Sequence, residues 1–304
     1  MSIHVVRRVP TKYGFFEGVA LLSCLLLLLP YLRTITYRSP RVHQSRGGDT
    51  LVHESDGRWE ERVCTDIEDA ACHHVLVLAK RQVTFCSAAK VASTTIRQYF
   101  YDISDDLVIP KGSRFGVHEA NWTRLANLEP HMRSHLLQSP DWTHVFFMRH
   151  VVERFISGYL DKVVNDCEIY DLATDYPSVG PLMHYRQYGF SCQQHSGLEA
   201  FVAFLESVPS LEGHFAPQTP LCNLQKYPYT DIIDVDDKLS TKLETLSIKL
   251  GVQHPTEKNE TRSHETGAKQ RMASLFRNRE ELIPRILKLF KEDCDLFPKS
   301  CAMS

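Results

Sequence analysis

The sequence predicts an α/β domain, a mostly parallel sheet flanked by helices, preceded by one N-terminal transmembrane helix. Three observations lead there. From Val75 onward, short apolar runs of strand type alternate with stretches of helical periodicity, the pattern of a sheet covered on both faces. Ahead of them stands a leucine-rich run followed by a polar stretch with little periodicity. The chain has 304 residues with 43% hydrophobic content, enough to bury a real core, and shows no internal repeat. Its formal net charge is −2 and its pI near 6.7, which excludes general nucleic-acid binding but leaves room for a local basic cleft.

Residues 1–14, with Arg7, Arg8 and Lys12, read as a cytoplasmic tail, and 15–32 as the membrane segment. The apolar run from Gly18 to Leu32 is short against the roughly 20 residues usual for a full span, which suits the thinner membranes of the early secretory pathway. A cleaved signal peptide is the alternative, but Pro30-Tyr31-Leu32-Arg33-Thr34 offers no small-x-small cleavage site, which favours an uncleaved anchor. The basic residues before the span direct the remainder into the lumen. Two sequons, Asn121-Trp122-Thr123 and Asn259-Glu260-Thr261, agree with that side of the membrane. So do the eight cysteines outside the span, an even number suited to an oxidising compartment. Pairing cannot be read from spacing in general; the close neighbours 64/72 and 294/301 are the first expectations.

Residues 33–72, with Gly47-Gly48 and several arginines, read as a stem, and 73–304 as the folded domain. Val75–Leu78 and Val83–Cys86 are strand material, followed by a small-residue turn and a helix from Ser93 to Tyr101. His144–Met148 is a buried strand. Val152, Phe155, Ile156, Tyr159, Leu160 and Val163 recur at helical spacing directly after it. A helix over 198–205, a strand over 231–235 and a helix over 238–250 follow, the last stopping at Gly251. Residues 265–294 are mostly helical, with Pro284 marking a break or kink.

Two segments carry chemistry. In Phe85-Cys86-Ser87-Ala88-Ala89-Lys90-Val91-Ala92-Ser93-Thr94-Thr95, a strand gives way to a small-residue loop, a lysine, and hydroxyls opening a helix. Phosphate binding asks for that arrangement: close backbone N–H groups, the positive end of a helix, a full charge and rotatable donors. The glycines of a Walker A loop are missing, and an ordinary strand–helix turn with Ser93 as N-cap is the plainer alternative. In the second segment, Arg149 to Lys162, Arg149 ends a buried strand, where ligands bind in open α/β sheets. Arg154, Ser157 and Asp161 share a helical face opposite the apolar stripe. An arginine and a serine there can grip one phosphate from two sides; a solvated polar face is the plainer reading.

Together the two segments resemble the donor-binding signature of the Golgi carbohydrate sulfotransferases, most closely the branch with the HNK-1, chondroitin 4-O and dermatan 4-O enzymes. Arg149, Arg154, Ser157, Tyr159 and Lys162 fill every position of that family's R-x(4)-R-x-x-S-x-[YF]-x-x-K pattern. Two further blocks look similar, His214-Phe215-Ala216-Pro217-Gln218 with Leu221-Cys222 and Tyr229–Ile233, and the closing Asp293–Phe297. The chain departs from the family at Ala89 and Val151, where proline is usual, and at Ala92-Ser93, where glycine-cysteine is common.

The resemblance implies a P-loop-like sulfotransferase fold and a PAPS-dependent O-sulfotransferase, single-pass in the Golgi membrane, acting on a carbohydrate acceptor. A chondroitin-type glycosaminoglycan is among the candidate acceptors. It implies that Lys90 stabilises charge on the leaving phosphate, that Val91, Ala92, Ser93, Thr94 and Thr95 hold the 5'-phosphate, and that Arg149 and Ser157 hold the 3'-phosphate. No metal is required, because the protein supplies the positive charge. A histidine suits the general base; among fifteen, His118 lies in the interval where related enzymes place theirs, and His214 is the runner-up. Arg262, Lys269, Arg271, Arg277 and Arg279 can face an acidic glycan, although a solvated helix face is favoured. Two other classes compete: a catalytically inactive lumenal binding protein of the same fold, and a P-loop nucleotide kinase. The intact Lys90, Arg149 and Ser157 argue against the first, and the missing glycines against the second.

Overall fold

A computed structural model describes residues 70–113, 116–167, 180–253, 255 and 267–302. The expected tail, membrane segment and nearly all of the stem lie outside these residues, as does the second sequon. Asn121 of the first sequon is exposed just ahead of an edge strand.

The described chain opens with α1 (Ala70–His74), running directly into β1 (Val75–Leu78). A 3-10 turn over Ala79–Arg81 and a left-handed Gln82 reverse it into β2 (Val83–Cys86). Then come α2 (Ser93–Asp102), β3 (Thr123–Arg124), α3 (Pro130–Gln138) and β4 (Thr143–Arg149). Helix α4 (Val151–Gly158) continues without a break into a π-helical segment, Tyr159–Asn165. The remainder is α5 (Gly180–Arg186), α6 (Cys192–His195), α7 (Leu198–Ser207), α8 (Gln218–Cys222), β5 (Asp231–Val235) and α9 (Leu239–Lys249). It closes with α10 (Ala268–Leu275), α11 (Leu282–Leu289) and α12 (Lys291–Leu296).

The five strands form one sheet in the order β3-β1-β2-β4-β5. β2, β4 and β5 are parallel, with Val83 opposite Thr143 and Val145 opposite Asp231, whereas β1 pairs antiparallel with both β2 and β3. The sheet is thus mixed, with a parallel core and an antiparallel flank, rather than mostly parallel. The reason is the tight turn at Ala79–Gln82, which is too short for a crossover and forces a hairpin. Every residue of β1 and β2 is buried and the middle of β4 is too, so these strands read as continuous apolar runs; the edge strand β5 alternates.

Packing follows from helical spacing. Ile96, Tyr99 and Phe100 are the buried face of α2, and the Phe100 ring stacks on Phe85 of β2 at 3.9 Å between centroids. On α4, Phe155 sits among Phe201, Phe215 and Phe290. Pro284 lies in the first turn of α11, where its missing N–H leaves no bond unmade, so the helical region breaks earlier, between Leu275 and Leu282. Three disulfides join Cys86 to Cys222, Cys167 to Cys192 and Cys294 to Cys301. The last is the expected short-range pair. Cys72 is also disulfide-bonded, while Cys64 falls outside the described residues.

One buried polar chain crosses the sheet. His144 Nδ1 lies 2.8 Å from Thr84 Oγ1, which lies 2.8 Å from the Tyr227 hydroxyl. Burial lowers the His144 pKa to about 4, so the imidazole is neutral in the folded protein. Unfolded, it titrates near 6.5 and binds more protons through the window between those values, so folding stability declines as pH falls from about 6.5 to 4. The expected loss from this residue approaches about 3 kcal/mol. Denaturant unfolding of His144→Gln from pH 7 to pH 4 should show a correspondingly shallower decline than the parent.

Candidate functional site

Because β2 and β4 are adjacent and parallel, the segments leaving their C-terminal ends emerge at the same edge of the sheet. The small-residue loop leaves β2 after Cys86, and Arg149 is the last residue of β4. The Arg149 guanidinium donates from Nη1 to the Lys90 carbonyl at 3.0 Å, and its Nε lies 3.7 Å from Glu153.

The loop is strained. Lys90 and Ala92 have φ of 65° and 58°, in the left-handed region that costs a non-glycine residue on the order of 1 kcal/mol. Ala92 stands where the resembling family often has glycine, so here the turn is held from outside instead. Ala92 is also the N-cap of α2, without a side-chain bond; Ser93, the cap on the plainer strand–helix alternative, is instead the first helical residue. Val91 is fully buried, so its side chain serves the core and only its backbone is available. Ser93 and Thr94 are half-buried on the first turn, and Thr95 is exposed.

Arg154 is the external support. It is fully buried, and its guanidinium donates to three carbonyls: Ala89 in the loop at 3.0 Å, Ala216 at 2.7 Å and Gly213 at 2.9 Å. Burial pulls its pKa to about 10, which leaves it charged at neutral pH. Arg154 and the buried Ser157 therefore do not form a solvated polar face; α4 is enclosed on both sides. Close approach continues at Gly158, where a Cβ would stand 3.0 Å from the Phe215 ring and 3.3 Å from the His214 carbonyl. The buried Asp293 accepts the first two N–H groups of α8, from Gln218 and Thr219, and the Cys86–Cys222 disulfide ties the end of α8 to the end of β2. The 213–222 block and the loop are thus locked to each other.

Lys90 is surrounded by charge. Its Nζ lies 2.5 Å from Asp161 Oδ2, an oxygen that also faces Lys162 at 3.2 Å; Lys162 in turn reaches Asp166 at 3.1 Å. Burial lowers the Lys90 pKa against the opposing pull of Asp161. For Asp161, burial acts upward, but Lys90 and Lys162 together take the carboxyl below its ordinary value. Of this cluster the sequence points to Lys90, to Lys162 as a pattern position and to Asp161 as a member of the polar helical face; the direct contact of Asp161 with Lys90 is not legible in it.

The two candidate histidines have different settings. His118, in the 3-10 turn Gly116–Glu119, places Nε2 2.8 Å from Thr94 Oγ1, and its carbonyl accepts from Arg97 at 3.4 Å. It therefore packs on the first turn of α2, beside the loop. His214 is held by Glu212, whose carboxylate lies 2.9 Å from Nδ1 and also accepts the His214 backbone N–H. Glu212 is a site residue the sequence reading missed. Burial acts to raise its carboxyl, but the bonds and charge of His214 bring it below the usual range. Of the C-terminal basic residues, Arg271, Arg277 and Arg279 are exposed, Lys269 pairs with Asp237, and Arg262 lies outside the described residues.

A strand–loop–helix with a lysine at its turn stands beside an arginine at the end of the neighbouring parallel strand, in an α/β protein with a mixed five-stranded sheet. Comparison with known families agrees: the model described as the Sulfotransferase family matches residues 73–300. The chain belongs to that family, and sulfuryl transfer is its general chemistry. No curated protein and no solved structure matches it.

Arg154→Lys tests the support directly. One ammonium cannot span three divergent carbonyls, and at least one is left buried without a donor, at a cost of about 2–3 kcal/mol. A clear drop in melting temperature is expected; an unchanged melting temperature would contradict the assignment.

Proposed function

We propose that this protein transfers a sulfuryl group from PAPS to a hydroxyl of a carbohydrate acceptor, as a single-pass Golgi enzyme of the branch it resembles. The observation that carries the proposal is the 3.0 Å contact of the Arg149 guanidinium with the Lys90 backbone. It joins the two segments whose residues suit the two ends of one doubly phosphorylated nucleotide. Three disulfides in the domain support an oxidising, lumenal setting.

On this reading Lys90 and the first turn of α2, with the Ser93 and Thr94 hydroxyls, hold the 5' end, where negative charge grows on the leaving phosphate. Arg149 and Ser157 hold the 3'-phosphate. Transfer is an in-line displacement, and the protein contributes mainly position and fixed positive charge. His118 takes the acceptor proton: its ring nitrogen lies against Thr94, at the 5' end, where the transferred group is delivered. His214, oriented by Glu212, stands as an acceptor-side residue.

The deciding experiment incubates the full-length protein with labelled PAPS and a panel of desulfated glycans, followed by linkage analysis of any labelled product. Transfer to a sugar hydroxyl is expected. Retained nucleotide binding with no transfer to any glycan would instead favour an inactive binding protein. Lys90→Ala should abolish transfer, and Arg149→Ala should weaken adenosine 3',5'-bisphosphate binding by about tenfold or more. His118→Ala should lower turnover while sparing that affinity; a parallel loss of binding would mark the residue as structural.

A further inference from the structure

The Lys90–Asp161 contact is not a surface pair. Both side chains are largely enclosed, 17% and 25% exposed, and so is Lys162 at 16%. An ion pair in such a setting is screened far less than an exposed one. Asp161 also sits on the seven-residue π-helical segment that follows α4. A π turn re-aims side chains relative to the α-helix before it, and such turns concentrate at functional sites. Here the segment carries Asp161 onto the loop lysine and leaves Lys162 between Asp161 and Asp166.

We infer that Asp161 is a positioning residue that competes with the 5' end of the nucleotide for Lys90. In the free protein Asp161 holds the Lys90 ammonium. When an anionic 5' group arrives, Lys90 leaves Asp161 for it, and the carboxylate keeps Lys162, which Asp166 also steadies. When the 5' group departs, Asp161 recovers Lys90. The inference rests on the donor reading above, but it concerns a residue that reading does not use. Its physical content is that a fixed negative charge beside the loop weakens binding specifically at the 5' end, and does so through Lys90.

The test measures binding to the full-length protein by titration calorimetry, with two probes: adenosine 3',5'-bisphosphate and adenosine 3'-monophosphate, which lacks the 5'-phosphate. Asp161→Asn should bind the bisphosphate about tenfold more tightly than the parent and leave the monophosphate unchanged. Asp161→Glu, which keeps the charge, should stay near the parent for both. In a Lys90→Gln background the gain from Asp161→Asn should vanish. Melting temperatures of the variants separate a binding effect from misfolding, and Asp161→Ser repeats the test should the asparagine variant fold poorly. Unchanged or weaker bisphosphate binding, an equal gain for the monophosphate, or a gain that survives loss of Lys90 would each overturn the inference. Failure of the parent to bind either probe would remove the donor reading itself, and this inference with it.

Discussion

The Arg154 guanidinium, enclosed on every side and shared among the carbonyls of Ala89, Gly213 and Ala216, is the constraint on which the candidate site depends. Enclosing a charge costs several kcal/mol unless its donors are met, and three charge-assisted bonds with Asp293 nearby offset that cost. The planar fork of arginine is what allows three bonds in three directions. The arrangement fixes a loop that is strained at Lys90 and Ala92, so the turn needs no glycine. It also fixes the 213–216 segment, hence His214, to the same frame. Arg149 adds a second hold on the loop through the Lys90 carbonyl.

Topology explains why these residues meet at all. Parallel pairing of β2 with β4 delivers the loop and Arg149 to one edge, although they are far apart in the chain. The helix after β4 carries Arg154 to the loop, and the π-helical segment that continues it brings Asp161 there. A net charge of −2 conceals this local grouping, in which Lys90, Arg149, Arg154 and Lys162 gather around a small number of carboxylates. Sulfuryl transfer needs such a grouping, because the reaction moves negative charge and gains most from fixed positive partners.

Much of this was legible in the residues. Continuous apolar runs marked β1, β2 and β4, helical spacing marked α4, and Arg149 marked the C-terminal end of β4, the edge at which open α/β sheets generally bind ligands. Strand direction was not legible, since a strand buried on both faces carries no alternation and the turn at Gln82 lacks the glycine that advertises a hairpin. Nor was the role of Arg154. A polar side chain at helical spacing looks the same whether water or distant carbonyls will satisfy it, and its partners lie 59 to 65 residues away. The Asp161 contact was hidden twice, by a separation of 71 residues and by a π turn that no periodicity announces. Cys294–Cys301 could be read from proximity, whereas Cys86–Cys222, 136 residues apart, could not.

A crystal structure of the protein with adenosine 3',5'-bisphosphate bound tests the central claim most directly. The account predicts the 3'-phosphate on Arg149 and Ser157, the 5'-phosphate on Lys90 and the first turn of α2, and the three carbonyl bonds of Arg154 unchanged. A nucleotide bound away from that edge, or Arg154 turned from its carbonyls to grip a phosphate itself, would contradict it.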